Sequence, residues 1–249
     1  MLRSVPGRRE CKGAMFSDAD KPKREAAHAA VERYIQSDMV VGLGTGSTAT
    51  FAVRRIGELV ASGELRDVRG VPTSAKTTAL ANELGIPLAT LSEARPRFTI
   101  DGADEISPEL ALIKGRGGAL LREKIVASSS EEGLIVVADS SKLVDSLGAG
   151  PLPVEIDSFG WETTIEALAS LGSEPELRMD WTDPGRPFVT DGGHYTADCT
   201  FEKIADPASL EIEVKHIPGA LESGLFVGLT RVAVVAGENG TVFIEAKPQ

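Results

Sequence analysis

The chain has 249 residues, 42% of them hydrophobic, and a formal net charge of −11. That length buries a sizeable core in one large domain or two small ones, while so acidic a surface repels nucleic acid, and no basic patch outside the N-terminal tail offsets it. No apolar run approaches the ~20 residues that span a membrane; two cysteines, Cys11 and Cys199, give no disulfide framework and fit a reducing compartment, and His28, His194 and His216 lack metal-ligand spacing.

Residues 1–17 show no hydrophobic periodicity and carry Arg3, Arg8, Arg9 and Lys12 against Glu10. They contain no signal-peptide apolar region. They read as a disordered extension, with Met15 as a candidate translation start. Asp18 or Asp20 caps a predicted helix that runs to about residue 36. Its alanine-rich body makes His28 a packing residue. Arg24, in its first half, is solvated by default and within reach of a phosphate bound nearby.

Residues 39–43 read as a short buried strand, followed by Gly44, Thr45, Gly46, Ser47 and Thr48 and a helix to about residue 62. Strand, glycine loop and helix make a phosphate cradle. The spacing matches neither a Walker A loop nor a dinucleotide fingerprint, and residues 68–74 lack the acid that would hold a ribose hydroxyl. The loop therefore suits a single phosphate or a sugar hydroxyl, with Ser47 and Thr48 as donors; a plain capped turn is the weaker alternative. A helix at 73–84 follows, ended by Gly85 and Pro87, then strands at 87–91 and 97–100.

The last of these strands runs into Asp101, Asp104 and Glu105, at the end where α/β sheets bind ligands. Lys114 comes next, then Gly115, Arg116, Gly117 and Gly118, and a helix carrying Glu123. On that helix Ala119, Leu120, Val126 and Ala127 share the face of Glu123. A carboxylate on an apolar stripe is desolvated and its pKa rises; buried, it needs a partner such as Lys114. A glutamate tuned in this way suits a general base. A solvated Glu123 at the stripe's edge is an equally weighted reading. A buried strand at 133–139 then leads to Lys142, which a parallel strand's end points at the same crevice; taken alone, an exposed lysine is the stronger reading.

Pro151 and Pro153 mark a change of pattern. A strand at 154–156, a helix at 161–171, strands at 175–179, 188–190 and 195–201, and a helix at 207–215 make a small α+β unit. Residues 180–186 form a loop and 191–193 a hairpin turn. Two β-runs, 231–236 and 241–246, return to the first unit or join the two. The element order predicts an α/β chain. A Rossmann-like parallel-sheet domain covers 18–152 plus 227–249, and a smaller α+β domain covers 153–226.

Seven segments together resemble the type A ribose-5-phosphate isomerases: GLGTGST (42–48), DGADEI (101–106), KGRGGALLREKIVA (114–127), DSSKLV (139–144), LPVEI (152–156), VTDGG (189–193) and IPGALESGLF (217–226). The resemblance implies a reversible aldose–ketose isomerisation of ribose 5-phosphate to ribulose 5-phosphate through an enediolate, with no metal or organic cofactor. Glu123 would be the base, Lys114 the cation facing the oxyanion, and Asp101 and Asp104 the groups that handle ring opening and hydroxyl protons. Thr45, Gly46, Ser47, Thr48 and Lys142 would hold the substrate and its phosphate. Gly102, Ala103, Gly115, Arg116 and Gly117 would join them, and Arg24 would take the place of a family lysine. The resemblance also implies a cytoplasmic homodimer or homotetramer that binds a small sugar phosphate.

Two departures stand out. Arg116 replaces a usual glycine, which predicts strain if φ is positive there, or an added phosphate or carboxylate contact. His194 alters a turn of the smaller unit. Two rival readings are a non-catalytic sugar-phosphate sensor of the same fold and a related enzyme such as an amino-sugar phosphate deaminase or a CoA transferase. The retained Glu123 and the missing helix-turn-helix oppose the first. The lack of a histidine near the acids opposes the deaminase.

Overall fold

The computed structural model describes residues 17–247; the reading of residues 1–16 as an extension, Cys11 and Met15 included, lies outside them. Helix α1 (Lys21–Tyr34) precedes strand β1 (Val40–Leu43) and helix α2 (Ser47–Ser62). Strand β2 (Arg69–Pro72), helix α3 (Ala75–Glu83) and strand β3 (Phe98–Gly102) follow. Two short strands, β4 (Glu105–Ile106) and β5 (Leu112–Ile113), lead to helix α4 (Leu120–Ser128) and strand β6 (Leu134–Asp139). The next stretch holds β7 (Leu152–Ile156), α5 (Trp161–Ala169), β8 (Glu174–Leu177), β9 (Tyr195–Thr200), α6 (Pro207–Lys215) and β10 (Ala220–Ser223). Strands β11 (Leu225–Phe226), β12 (Thr230–Gly237) and β13 (Gly240–Glu245) end the chain.

Six strands form the main sheet in the order β13-β12-β6-β3-β1-β2. Five of them run parallel, and β13 returns antiparallel beside β12. Near-continuous apolar strands are what burial on both faces requires, and β6 is buried from Leu134 to Ala138. Helices α1 and α2 pack against this sheet through Ala27, Ala30, Val31, Phe51, Ala52 and Ile56. The chain proceeds outward from β1 to β2, then crosses back to β3 on the other side of β1. That reversal opens a crevice at the carboxyl ends of β1 and β3, where such sheets take ligands. Gly42 allows α4 to settle close to β1: a Cβ there would lie 2.1 Å from Thr99 Oγ1 and 2.8 Å from a Val126 methyl.

A second, antiparallel sheet has the order β10-β7-β9-β8. Its core joins Val154, Ile156 and Ala197 to Leu168 of α5 and Val214 of α6. Between the two sheets lies a three-stranded one, β11-β5-β4. It delivers Lys114 and Phe226 to the crevice from neighbouring strands.

Several predicted boundaries shift for physical reasons. Residues 87–91 do not form a strand: Gly70 N–H donates to Pro87 O and Ala89 N–H to Gly70 O, giving one bridge at Leu88. Pro87 has no N–H with which to extend a ladder. Residues 188–190 likewise make no strand, and pairing stops at the Met179–Pro187 bridge. Asp20 stands at the cap of α1 with no side-chain capping bond; its carboxylate takes the Ser17 hydroxyl and the Lys23 ammonium instead.

Candidate active site

Strand β3 ends at a buried carboxylate. Asp101 Oδ1 accepts the N–H of Thr45 at 3.0 Å and of Gly102 at 2.7 Å. Gly44 makes this approach possible, because a Cβ there would sit 2.2 Å from the same oxygen. Lys114, leaving β5, brings its Nζ to 3.0 Å from Asp101 Oδ2 and 3.2 Å from Glu123 Oε2, and donates to the Gly102 carbonyl at 2.6 Å. The Phe226 ring centroid stands 5.4 Å from the same ammonium, close enough for a cation–π contact. Glu123 lies on the first turn of α4 with 3% of its surface exposed, which decides against the solvated reading.

Two carboxyls and one ammonium share this buried space, so the charges do not balance. Burial pushes the Glu123 carboxyl up to about 8, with the Lys114 ammonium opposing and the Asp101 charge adding to the rise. Burial also raises Asp101, against Lys114 and the two N–H donors. Burial alone would lower Lys114, but the charges of Asp101 and Glu123 outweigh it and raise its pKa. Lys114 thus stays an ammonium, while Glu123 exchanges its proton near neutrality.

A cavity of about 280 Å³ opens over this group. Lys114, Glu123, Gly115 and Gly117 line it with Gly102, Ala103 and Asp104. Thr45, Gly46, Ser47 and Thr48 line it too, where the chain enters α2 and presents the first N–H groups of that helix. Lys142, Ser141 and Asp139 approach from the carboxyl end of β6, and Lys23 from α1. The Thr45 hydroxyl turns away to Thr73, Ser74 and Thr77, which fixes the loop. A buried acid and an anion cradle with two lysines on one cavity suit proton transfer next to the carbonyl of a small phosphorylated molecule. Among the described residues, no group of three or more His, Cys, Asp or Glu side chains is placed to hold a metal ion.

Three expected residues do not line the cavity. Asp101 is 1% exposed and lies behind Lys114 without lining the cavity, since its oxygens are engaged by Thr45, Gly102 and Lys114. Arg24 is exposed on α1 and its neighbour Lys23 lines the cavity instead, because adjacent helical residues diverge by about 100°. Arg116 has no positive φ and is unstrained. Its guanidinium turns from the cavity to Glu105, 2.6 Å away, so the added contact is to a carboxylate. Glu105 itself accepts the N–H groups of Gly148, Ala149 and Gly150. The Lys23, Ser141 and Asp139 contacts follow from neighbouring motifs. Arg178, which holds the glycine loop from the smaller sheet, has no motif of its own.

Fold and site together define an α/β enzyme-like crevice for an anionic small molecule, with a buried acid–ammonium pair at its working end. Residues 69–240 match the family model described as ribose 5-phosphate isomerase A (phosphoriboisomerase A). The chain is 55% identical to the ribose-5-phosphate isomerase A of Gloeobacter violaceus over 226 residues, covering 90% of this chain and 95% of that protein. A solved ribose 5-phosphate isomerase from Plasmodium falciparum superposes with a TM-score of 0.87 at 42% identity, over 92% of this chain and all of that one. A D-ribose-5-phosphate isomerase solved with phospho-erythronic acid superposes equally well, with a TM-score of 0.87 at 40% identity over 91% of this chain and 98% of that one. The chain belongs to the ribose 5-phosphate isomerase A family.

Proposed function

We propose that this protein interconverts D-ribose 5-phosphate and D-ribulose 5-phosphate, with Glu123 as the base. The observation that carries the reading is the buried Glu123 carboxyl, 3.2 Å from Lys114 Nζ, facing the same cavity as the start of α2. The phosphate lies at Ser47 and Thr48 with Lys142 and Lys23 beside it. The open-chain aldehyde then reaches Lys114. Glu123 takes the proton from C2; the electron pair forms the C1–C2 double bond, and the carbonyl oxygen becomes an oxyanion facing Lys114. A fixed ammonium is most effective where charge develops. The proton on the C2 oxygen moves to the C1 oxygen, with Asp104 lining the path. Glu123 returns its proton to C1 and the C2 carbonyl forms. Asp101 acts as a positioning residue: it ties Lys114 to the Thr45 loop and does not itself line the cavity.

Membership of an isomerase family and the retained acid and ammonium favour this reading over a sugar-phosphate sensor. We further propose two domains, supported by a six-stranded sheet built from 40–139 and 230–245 and a four-stranded sheet built from 152–223. The family resemblance supports a homodimer or homotetramer in the cytoplasm, and among the described residues no helix is long and apolar enough to cross a membrane. A direct assay of ribose 5-phosphate conversion, with and without chelator, tests the function. Turnover unaffected by chelator is expected. Tight binding without turnover would support the sensor, and turnover abolished by chelator would overturn the metal-free mechanism.

A further inference from the structure

The glycine loop beside Lys114 is gripped from the smaller sheet by one buried arginine. Arg178 follows β8, and its side chain is 6% exposed. Its own backbone is pinned on both sides, its N–H donating to Thr196 O at 2.8 Å and its carbonyl accepting from Phe188 N–H at 2.8 Å. Asp198 takes the Nε and one terminal nitrogen of the guanidinium. The other terminal nitrogen donates to two loop carbonyls, Gly115 O at 3.1 Å and Arg116 O at 3.2 Å. Phe188 closes the loop from the same side: a Cβ on Gly118 would lie 2.3 Å from its ring.

In a trans peptide the carbonyl and the N–H point in opposite directions. The peptide joining Gly115 to Arg116 shows where that leads: its carbonyl meets Arg178, and its N–H donates at 3.0 Å to Asp104 Oδ2, on a residue that lines the cavity. The next peptide has the same polarity. Its carbonyl meets Arg178, its N–H belongs to Gly117, and Gly117 lines the cavity. Among the described residues the Gly117 N–H makes no hydrogen bond, whereas Gly118 N–H is taken by Gly115 O.

We propose that Arg178 is a positioning residue for the isomerisation, holding the Gly115 and Arg116 carbonyls away from the cavity so that the Arg116 N–H fixes Asp104 and the Gly117 N–H meets the developing oxyanion beside Lys114. The inference rests on the isomerase reading above. The guanidinium fork is what the geometry uses, since one nitrogen serves two carbonyls while the rest of the plane is locked to Asp198. A lysine supplies the charge without that fork.

The test compares wild-type, R178A and R178K chains in the ribose 5-phosphate assay. In R178A, kcat falls by about 10²-fold, the scale of one lost oxyanion donor, while KM stays within about twofold. Millimolar methylguanidinium restores part of the R178A turnover and methylammonium does not; R178K stays slow. A purely structural role would not produce that selective rescue. R178A turnover close to wild type, a loss confined to KM, or no rescue by methylguanidinium overturns the proposal. Should R178A fail to fold, wild-type protein decides: on titration with phospho-erythronic acid, whose carboxylate stands in for the enediolate oxygens, the Gly117 amide ¹⁵N resonance shifts. An unmoved Gly117 resonance under saturating ligand overturns the proposal. A wild-type chain that does not isomerise ribose 5-phosphate removes the isomerase reading itself, whereas an active wild type with an equally fast R178A removes the role of Arg178 alone.

Discussion

At the residue scale, the imbalance of two buried carboxyls around one ammonium governs the pH response. As the proposed base, the Glu123 carboxyl, raised by burial to about 8, must be ionised to accept a proton from carbon. kcat/KM therefore rises about tenfold per pH unit on the acid side and levels above about 8, as for any base that must be deprotonated. The same shift is a stability effect. Folded protein holds this proton more tightly than unfolded chain, so its stabilising contribution is complete below the ordinary glutamate range and lost as pH rises through about 8. Melting temperatures between pH 6 and 9 check the sign: the wild type loses more stability than E123Q. A wild type no more pH-sensitive than E123Q contradicts the burial argument. The proposed phosphate contact of Lys142 is a different case, because such a contact is felt equally in ground and transition states. K142A raises KM and leaves kcat nearly unchanged; steady-state kinetics showing the reverse would place Lys142 in the chemistry.

At the scale of elements, α4 is held by a second charge cluster, which does not line the cavity. Lys124, next to Glu123, donates to Glu211 at 2.6 Å and Glu222 at 2.8 Å, and Lys215 reaches Glu222 at 2.5 Å. Burial pushes the Glu222 carboxyl up, but Lys124 and Lys215 overcome it and hold it below the usual range. Removing one partner of a buried pair leaves the other charge uncompensated and costs about 3–5 kcal/mol. K124M is expected to lose that much in urea unfolding, and a loss below about 1 kcal/mol would mean the cluster is solvated in solution. The helix face of Glu123 was legible because its apolar neighbours recur at helical spacing. Which cation of α1 lines the cavity was less so. Two adjacent cations, Lys23 and Arg24, differ only by a rotation about the helix axis, which an approximate helix start does not fix.

At the scale of the whole molecule, one mainly parallel sheet places two loops and a lysine at a single crevice, and a smaller antiparallel sheet braces them. The alternation of strands and helices up to residue 139 made the first part readable, since each βα step is local. The bracing was not readable. Arg178 and Gly115 are 63 positions apart, and Glu222 and Lys124 98, and no local pattern encodes such contacts. Asp101 is a third such case: its position at a strand end pointed to the crevice, whereas backbone donors and Lys114, brought in by other loops, take up its oxygens.

As the proposed base, Glu123 moves a carbon-bound proton, and deuterium uptake at C2 of ribose 5-phosphate in D₂O, followed by NMR for wild type and E123Q, measures that step itself. Uptake by the wild type at a rate comparable to turnover is expected, and none by E123Q on the same timescale. Uptake by E123Q at the wild-type rate would contradict that role.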